Sequence, residues 1–89
     1  MPDWSQPEFE WDDGNEGHLI VRHDVYPAEA EQVFYNGAHI RRTGNAYYAY
    51  GRDDTGRYLF LFVLRGRAVR VFSARTMTRE ERKFYERNQ

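Results

Sequence analysis

Two arginines near the end of the chain are the residues whose type and position best suit chemistry. Arg70 lies inside the alternating segment 68–74, and Arg75 follows it. The alternation predicts a β-strand, so a rigid sheet would hold both guanidinium groups. Fixed guanidinium groups stabilise the negative charge that spreads over the oxygens of a phosphoryl transition state. Ser73, between the two arginines, offers a hydrogen-bond donor.

The same two arginines have a structural alternative. Arg70 would pair with a carboxylate of the acidic first helix and tie that helix to the sheet. Arg75 would bond the last helix or a backbone carbonyl. The two uses are compatible with each other.

Histidine supplies the proton-transfer chemistry, because its unperturbed pKa of about 6.5 lies near working pH. His23, at the end of a predicted helix, is the candidate, and the alternative is a cation that stabilises the helix C-terminus. His18 and His23 lie about 140° apart around a helix. Since the chain also has no cysteine, the sequence predicts neither a metal site nor a cofactor.

Tyrosine offers stacking surfaces and a proton donor. Tyr47, Tyr48, Tyr50 and Tyr58 fall in predicted strands, where packing is the commoner role, although stacking on RNA bases would use the same rings. Tyr85 lies on a basic helix that we expect to be exposed, which makes it the tyrosine to test for stacking or proton donation.

The net charge of -1 conceals a division along the chain. Residues 1–35 carry a net charge of -8, residues 36–64 carry +2 and residues 65–89 carry +5. Twelve of the thirteen basic residues are arginine, whose planar fork binds phosphate through two hydrogen bonds. The basic C-terminal third therefore indicates contact with a polyanion. Ordinary solvated faces and an arginine-favouring genome would explain the same bias.

Cap and turn signals predict seven elements. Pro27 suits the first position of a helix, and Thr78 with Glu81 forms a capping box that opens the last helix, with Phe84 facing the core. The apolar run Tyr58–Leu64 predicts a central strand buried on both faces. The predicted helices run from Asp12 or Asp13 to about His23, from Pro27 to the stop signal Gly37, and from Thr78 to about Arg87. The predicted strands are His39–Thr43, Tyr47–Tyr50, Tyr58–Leu64 and a last one at 68–75.

These elements predict an α+β fold: two N-terminal helices, a four-stranded antiparallel meander and a C-terminal helix, in a single domain over residues 1–89. In the last strand, alternation would place Val69, Val71 and Ser73 on one face and Ala68, Arg70, Phe72 and Ala74 on the other. Segment 9–12 would be either a short edge strand or an extended arm. With neither an export signal nor an apolar run of about 20 residues, we expect a cytoplasmic protein without membrane contact.

Several segments spread over nearly the whole chain match one known family. They are Phe9-Glu10-Trp11-Asp12, Arg22-His23 followed by Val25, the helix at 30–34, Tyr50-Gly51-Arg52, Gly56-Arg57-Tyr58-Leu59, and Val69–Arg75 leading to Glu81-Arg82 and Tyr85. The chain resembles the BrnT-like toxins of bacterial type II toxin-antitoxin systems. The succession of arginine, Ser-Ala-Arg, Glu-Arg and tyrosine is the most specific part of the resemblance.

The resemblance implies a RelE-like ribonuclease that cleaves RNA without a metal ion and inhibits translation. A BrnA-like antitoxin would neutralise it, and DNA would be contacted only through the antitoxin. The assembly would be a homodimer or a heterotetramer with that partner. Carried over by position, the catalytic set is His23, Arg70, Arg75 and Tyr85. We expect RNA binding by Arg52, Arg67, Arg79 and Arg82.

The chain departs from the family pattern at three positions. Asn15 and Ala46 stand where the family usually has a lysine and an arginine, and Asp24 follows His23 in place of glycine. The alternative function is therefore a non-catalytic module of the same fold that binds a partner chain or dimerises.

Overall fold

The computed structural model describes residues 4–89, except for the side chains of residues 21–23. Within this part of the chain, three helices and four strands follow the predicted order. They are α1 (Asp13–His23), α2 (Pro27–Tyr35), β1 (His39–Thr43), β2 (Ala46–Arg52), β3 (Tyr58–Arg65), β4 (Val69–Thr76) and α3 (Arg79–Asn88). The strands pair in the order β1-β2-β3-β4, and every pairing is antiparallel. The predicted α+β fold with an antiparallel meander is confirmed.

Helix α1 begins with a reciprocal cap. Asp12 Oδ1 accepts hydrogen bonds from the backbone N–H groups of Gly14 and Asn15, at 2.9 and 3.2 Å. Asn15 Oδ1 in turn accepts from the backbone N–H of Asp12 at 2.8 Å. These bonds satisfy amides that the first turn of a helix leaves without partners.

Helix α2 begins at Pro27, as predicted, with Tyr26 in the N-cap position. The Tyr26 side chain makes no capping hydrogen bond, but the Glu29 carboxylate accepts one from the Tyr26 backbone N–H at 3.0 Å. Val33 and Phe34 hold the helix by packing in the core. Gly37, at φ +84°, lies just beyond its end, where a residue without a Cβ adopts the left-handed region most easily.

The main core lies between the sheet and helices α1 and α2. Leu59, Leu61 and Val63 of β3 are fully buried on this core face, whereas Phe60 and Phe62, on the opposite outer face, are only partly buried. The expectation that β3 is buried on both faces is therefore wrong. The reason is that α1 and α2 cover the core face, while α3 contacts only part of the outer face.

A β-bulge interrupts the pairing of β3 with β4. Phe62 lies opposite Ser73, but Val63 lies opposite Val71, so Phe72 has no partner on β3. An extra residue reverses the alternation beyond it. Ala74 consequently shares the core face with Val71, and Ser73 lies on the outer face. The predicted faces of Ser73 and Ala74 are wrong, because the simple alternation assumed an uninterrupted strand.

The segment before α1 is an extended arm that pairs briefly with the start of β4. Val69 N–H donates to the Glu8 carbonyl at 2.7 Å, and Glu10 N–H donates to the Val69 carbonyl at 2.9 Å. The Phe9 and Trp11 rings stack 6.3 Å apart. Of the two alternatives for this segment, the arm is the correct one, with a single bridge to the sheet.

Helix α3 packs against the outer face of the sheet. The Phe84 ring lies 5.0 Å from that of Tyr50 and 5.4 Å from that of His39, outside the main core. Tyr85 is only 5 % exposed. The expectations that Phe84 faces the main core and that Tyr85 is exposed are both wrong, since a sequence period does not reveal which sheet face a helix covers. No helix within residues 4–89 has the length and apolarity needed to span a membrane.

Candidate nucleic-acid interface

The bulge at Phe72 places Arg70 and Arg75 on the same face of the sheet. Arg70 lies opposite Leu64 and Arg75 opposite Phe60, two β3 residues whose separation of four puts them on one face. In an uninterrupted strand, residues five apart would point to opposite faces. The bulge therefore gives the outer face two guanidinium groups, which is a geometry that the sequence alternation did not predict.

Arg70 is held by the carboxylates that precede α1. Its Nη1 and Nη2 bind Asp12 Oδ2 and Oδ1 at 2.7 and 3.0 Å, and Nη1 also binds Glu10 Oε1 at 3.1 Å. The hydrogen bond from Arg70 is the main reason that the pKa of Asp12 falls to about 2. Arg70 thus ties β4 to the start of α1, as its structural alternative anticipated.

Arg75 is held by the last helix. Its Nη1 and Nη2 bind the two oxygens of Glu81 at 2.6 and 2.8 Å, and its Cζ lies 4.5 Å from the centre of the Phe60 ring. The hydrogen bond from Arg75 lowers the pKa of Glu81. Glu81 also accepts from Thr78 N–H at 2.9 Å in the capping box of α3, so Arg75 reinforces the cap.

The histidine that shares a cavity with Arg70 is His18. A cavity of about 310 Å³ is lined by Gly14, Asn15, His18, Arg70 and Phe72. His23, the predicted proton-transfer residue, is the last residue of α1, and its side chain lies outside the described residues. Sequence reasoning missed His18, although its spacing of four from Gly14 places both on one side of a helix.

The two positions at which the family usually has a basic residue carry buried residues here. Asn15 is 3 % exposed; besides closing the cap of α1, its Nδ2 donates to the Glu10 carbonyl at 3.0 Å. Ala46 is 7 % exposed at the first position of β2. Asn15 therefore has a structural role in joining the arm to α1.

A second cavity, which we call the Tyr58 groove, has a different composition. Its volume is about 470 Å³, and its lining residues are Arg52, Gly56, Arg57, Tyr58, Thr76, Met77 and Arg82. The guanidinium carbons of Arg82 and Arg52 lie 4.0 and 4.7 Å from the centre of the Tyr58 ring. This groove contains two of the four predicted RNA-binding arginines.

The other predicted residues lie elsewhere. Arg67 is exposed in the turn between β3 and β4, and Arg79 is exposed at the first position of α3. Tyr85 packs edge-on against Tyr58, with ring centres 5.9 Å apart, and burial raises its pKa. Apart from His23 at the end of α1, the predicted catalytic and RNA-binding residues are thus distributed over the outer face, its turn and α3. Within the described part of the chain, no group of three or more histidine, aspartate and glutamate side chains is arranged to hold a metal ion.

Comparison with known families decides the family of this chain. A model described as "Ribonuclease toxin, BrnT, of type II toxin-antitoxin system" matches residues 11–81. The chain belongs to the BrnT family. No curated protein matches it. The BrnT match includes α1, α2, all four strands and the capping box of α3, so it contains Arg70, Arg75 and both histidine candidates, whereas Arg82 and Tyr85 lie beyond it.

Proposed function

We propose that this chain is the toxin of a type II toxin-antitoxin pair and cleaves RNA without a metal ion, thereby inhibiting translation. The BrnT match over residues 11–81 carries the proposal. Cleavage would proceed by attack of a ribose 2′-hydroxyl on the adjacent phosphate, which breaks the bond from phosphorus to the 5′-oxygen of the next nucleotide and leaves a 2′,3′-cyclic phosphate; the base takes the 2′-hydroxyl proton and the acid protonates the departing 5′-oxygen. That reaction requires a general base, a general acid and stabilisation of the phosphoryl charge, all of which side chains can supply.

In this proposal Arg70 and Arg75 stabilise the phosphoryl charge and an imidazole transfers the proton. His23 is the histidine selected by the family resemblance, and His18 is the one that lines a cavity with Arg70. Tyr85 belongs to the proposed set by its position; it is largely buried and lines a cavity together with Arg52. Arg52, Arg67, Arg79 and Arg82 would contact the RNA backbone.

RNA would have to exchange a phosphate for the carboxylates that hold the two arginines. The Glu10 and Asp12 side chains that bind Arg70 are 61 % and 53 % exposed. Water screens ion pairs that are exposed to this degree, so each of them contributes little to stability. The exchange at Arg70 therefore has a small cost, and the extended arm would release its hold on the guanidinium group.

The proposed partner is a BrnA-like antitoxin that neutralises the toxin in the cytoplasm. DNA contact would be indirect, through the antitoxin's DNA-binding part. The assembly would be a homodimer of the toxin or a heterotetramer with the antitoxin. A neighbouring gene that encodes a short protein with a ribbon-helix-helix pattern would support this partner.

The test is RNA cleavage by the purified chain in excess EDTA, combined with induced expression in cells. We expect the wild type to cleave RNA and arrest growth, and Arg75→Ala and Arg70→Ala to lose both effects. His18→Ala and His23→Ala, assayed in parallel, identify the proton-transfer residue. The matched control is Arg87→Ala, which removes an exposed arginine from α3. Wild-type protein that neither cleaves RNA nor affects growth would refute the proposal.

A second candidate function is a non-catalytic interaction module. The observation that favours it is that both arginines are bound by carboxylates while Asn15 occupies the family's lysine position. In that case the chain would copurify with its partner, and RNA would remain intact after the partner is removed. Cleavage that depends on Arg70 or Arg75 would exclude this alternative.

A further inference from the structure

The arginines of the Tyr58 groove differ in whether a carboxylate already neutralises them. Arg57 binds Glu29 at 3.0 Å and lies 3.5 Å from Asp53. Arg52 and Arg82 form no ion pair with any residue in the described part of the chain. The groove therefore has two positive charges that need no exchange of partner before an anion binds, unlike those of Arg70 and Arg75.

Both of these guanidinium groups are positioned in advance. Both groups make cation–π contacts with the Tyr58 ring. Arg52 Nε also donates a hydrogen bond to the Gly56 carbonyl at 3.2 Å. Gly56 has φ +89°, and a Cβ at this position would lie 2.9 Å from Arg52 Nη2. The positive φ favours a glycine at this turn, and the absence of a Cβ leaves room for the Arg52 guanidinium group. Ordering the two groups before binding reduces the entropy lost on binding.

The Tyr58 ring that both groups contact is also fixed. Tyr58 donates its hydroxyl to Glu86 Oε2 at 3.3 Å, and Tyr85 packs against its edge. The Glu86 carboxylate is bound to this hydroxyl and forms no ion pair with Arg52 or Arg82. Thr76 and Met77, which also line the groove, carry no formal charge.

The position of the groove relates it to the two arginines of β4. Tyr58 and Phe60 are neighbours on the outer face of β3, about 7 Å apart along the strand. Arg75 lies over Phe60, and Arg70 lies opposite Leu64, further along the same face. A single strand that enters at the Tyr58 groove would therefore pass Arg75 before Arg70.

We infer that the Tyr58 groove is a phosphate-binding subsite for single-stranded RNA, in which Arg52 and Arg82 bind one phosphate and Tyr58 positions them. A guanidinium pair matches the geometry of phosphate oxygens, and a cationic groove next to an aromatic ring is typical of single-strand binding. The choice of RNA rests on the proposed function. The subsite adds a binding step that is separate from cleavage at Arg70 and Arg75.

The test uses an RNA that cannot be cleaved through its 2′-hydroxyl: a 2′-O-methyl oligouridylate of about ten nucleotides with a 3′ fluorophore. Fluorescence anisotropy of the full chain gives the dissociation constant. Loss of a hydrogen-bonded charge predicts about a tenfold weaker binding for Arg52→Ala or Arg82→Ala. Each variant should also reduce the salt slope of binding by about 0.7. Arg87→Ala, which removes the same charge from α3 outside the groove, should bind like the wild type.

Variants of the ring test whether Tyr58 acts by positioning. Tyr58→Phe retains the aromatic face and should change the dissociation constant by less than about twofold, whereas Tyr58→Leu removes the support of both arginines and should weaken binding as much as one arginine variant. If Arg52→Ala fails to fold, Arg52→Gln replaces it, since its amide can still donate to the Gly56 carbonyl.

The phosphate could be a terminal monophosphate or an internal diester, so the oligouridylate is used with and without a 5′-phosphate. Tighter binding of the phosphorylated form, lost in Arg52→Ala and Arg82→Ala, assigns the groove to the terminus; equal binding of the two forms assigns it to the backbone. Equal affinity of the wild type, of Arg87→Ala and of a variant that combines Arg52→Ala with Arg82→Ala would overturn the inference. Groove-dependent binding without cleavage of ordinary RNA would instead refute the proposed function and leave the subsite.

Discussion

The arginines of this chain differ mainly in what holds their guanidinium groups. Arg57, Arg70 and Arg75 bind carboxylates, while Arg52 and Arg82 lie against an aromatic ring. A carboxylate neutralises the guanidinium charge, whereas a ring orients the group and leaves its charge available for an anion. At the residue scale, the guanidinium groups already available to an anion are therefore not the two that the family resemblance assigns to catalysis.

The pair formed by Asp12 and Arg70 predicts how stability depends on pH. Arg70 depresses the folded-state pKa of Asp12 to about 2 from 3.8. The contribution of the ionised carboxylate to the free energy of unfolding is therefore complete above about pH 4 and is lost as the pH falls through about 2. Asp12→Asn retains a side-chain oxygen for the cap but lacks the charge. We expect the difference in unfolding free energy between wild type and Asp12→Asn to be constant from about pH 7 to 5 and to shrink between about pH 4 and 2.

Urea denaturation at each pH provides that measurement. Asp13→Asn is the matched control, because Asp13 is an exposed neighbour in the first turn of α1 that makes no ion pair with Arg70. Its difference from the wild type should be small throughout. A difference for Asp12→Asn that stays constant down to about pH 2 would show that Arg70 does not depress the pKa of Asp12.

At the scale of elements, local signals predicted the boundaries well because their causes are local. Pro27, Gly37 and the Thr78–Glu81 box act through their own backbone geometry and amides, and the structure confirms each. The bulge depends instead on the pairing partner of β4, which a single segment does not contain. The wrong sheet faces were predicted for Ser73 and Ala74 because the segment itself does not reveal how β4 pairs with β3. The assignment of the segment as a strand was correct.

The candidate site was predictable to a smaller extent for the same reason. Residue type and spacing identified Arg70 and Arg75. The structural alternatives for these arginines were also correct, because Arg70 binds a carboxylate at the start of α1 and Arg75 binds the last helix. The approach of Arg52 and Arg82 to Tyr58 joins β2, β3 and α3, whose packing no local pattern encodes. The cavity shared by His18 and Arg70 likewise requires α1 to lie against β4.

Close packing between α2 and β2 gives a prediction at the same scale. A Cβ on Gly51 would lie 2.8 Å from Val33 Cγ1 and 3.2 Å from the Val33 carbonyl oxygen. Gly51→Ala must therefore push α2 away from the sheet, and overpacking of this kind costs about 1–3 kcal/mol. We expect a lower urea midpoint with an unchanged slope.

Gly66→Ala is the matched control for this substitution. Nothing lies within 4 Å of a Cβ built on Gly66, which occupies the turn between β3 and β4. Its unfolding free energy should be equal to that of the wild type or slightly higher, because alanine restricts the unfolded chain. Equal stability of the two alanine variants would mean that α2 can shift at little cost.

At the scale of the whole molecule, folding brings an acidic third of the chain against a basic remainder. Residues 1–35 carry a net charge of -8 and residues 36–89 carry +7. Arg57 reaches back to Glu29, and Arg70 reaches back to Glu10 and Asp12. The charge division that suggested a polyanion partner therefore also contributes to the attraction within the fold.

This attraction predicts that salt destabilises the protein. The molecule measures 34 × 31 × 24 Å, so at about 10 mM salt, where the screening length is about 30 Å, its charges interact across the whole fold; at 0.15 M the length is about 8 Å and only adjacent charges interact. We expect the melting temperature to fall by a few degrees over this range, since a loss of about 1 kcal/mol lowers it by about 4–8 °C in a domain of this size.

Arg57→Gln should reduce the dependence of the melting temperature on salt, because it removes a contact between the acidic and basic parts. Arg87→Gln, which changes the same charge at a residue without an ion pair in the described part of the chain, should retain it. A melting temperature that stays constant or rises in the wild type would show that the two parts are held together by packing alone.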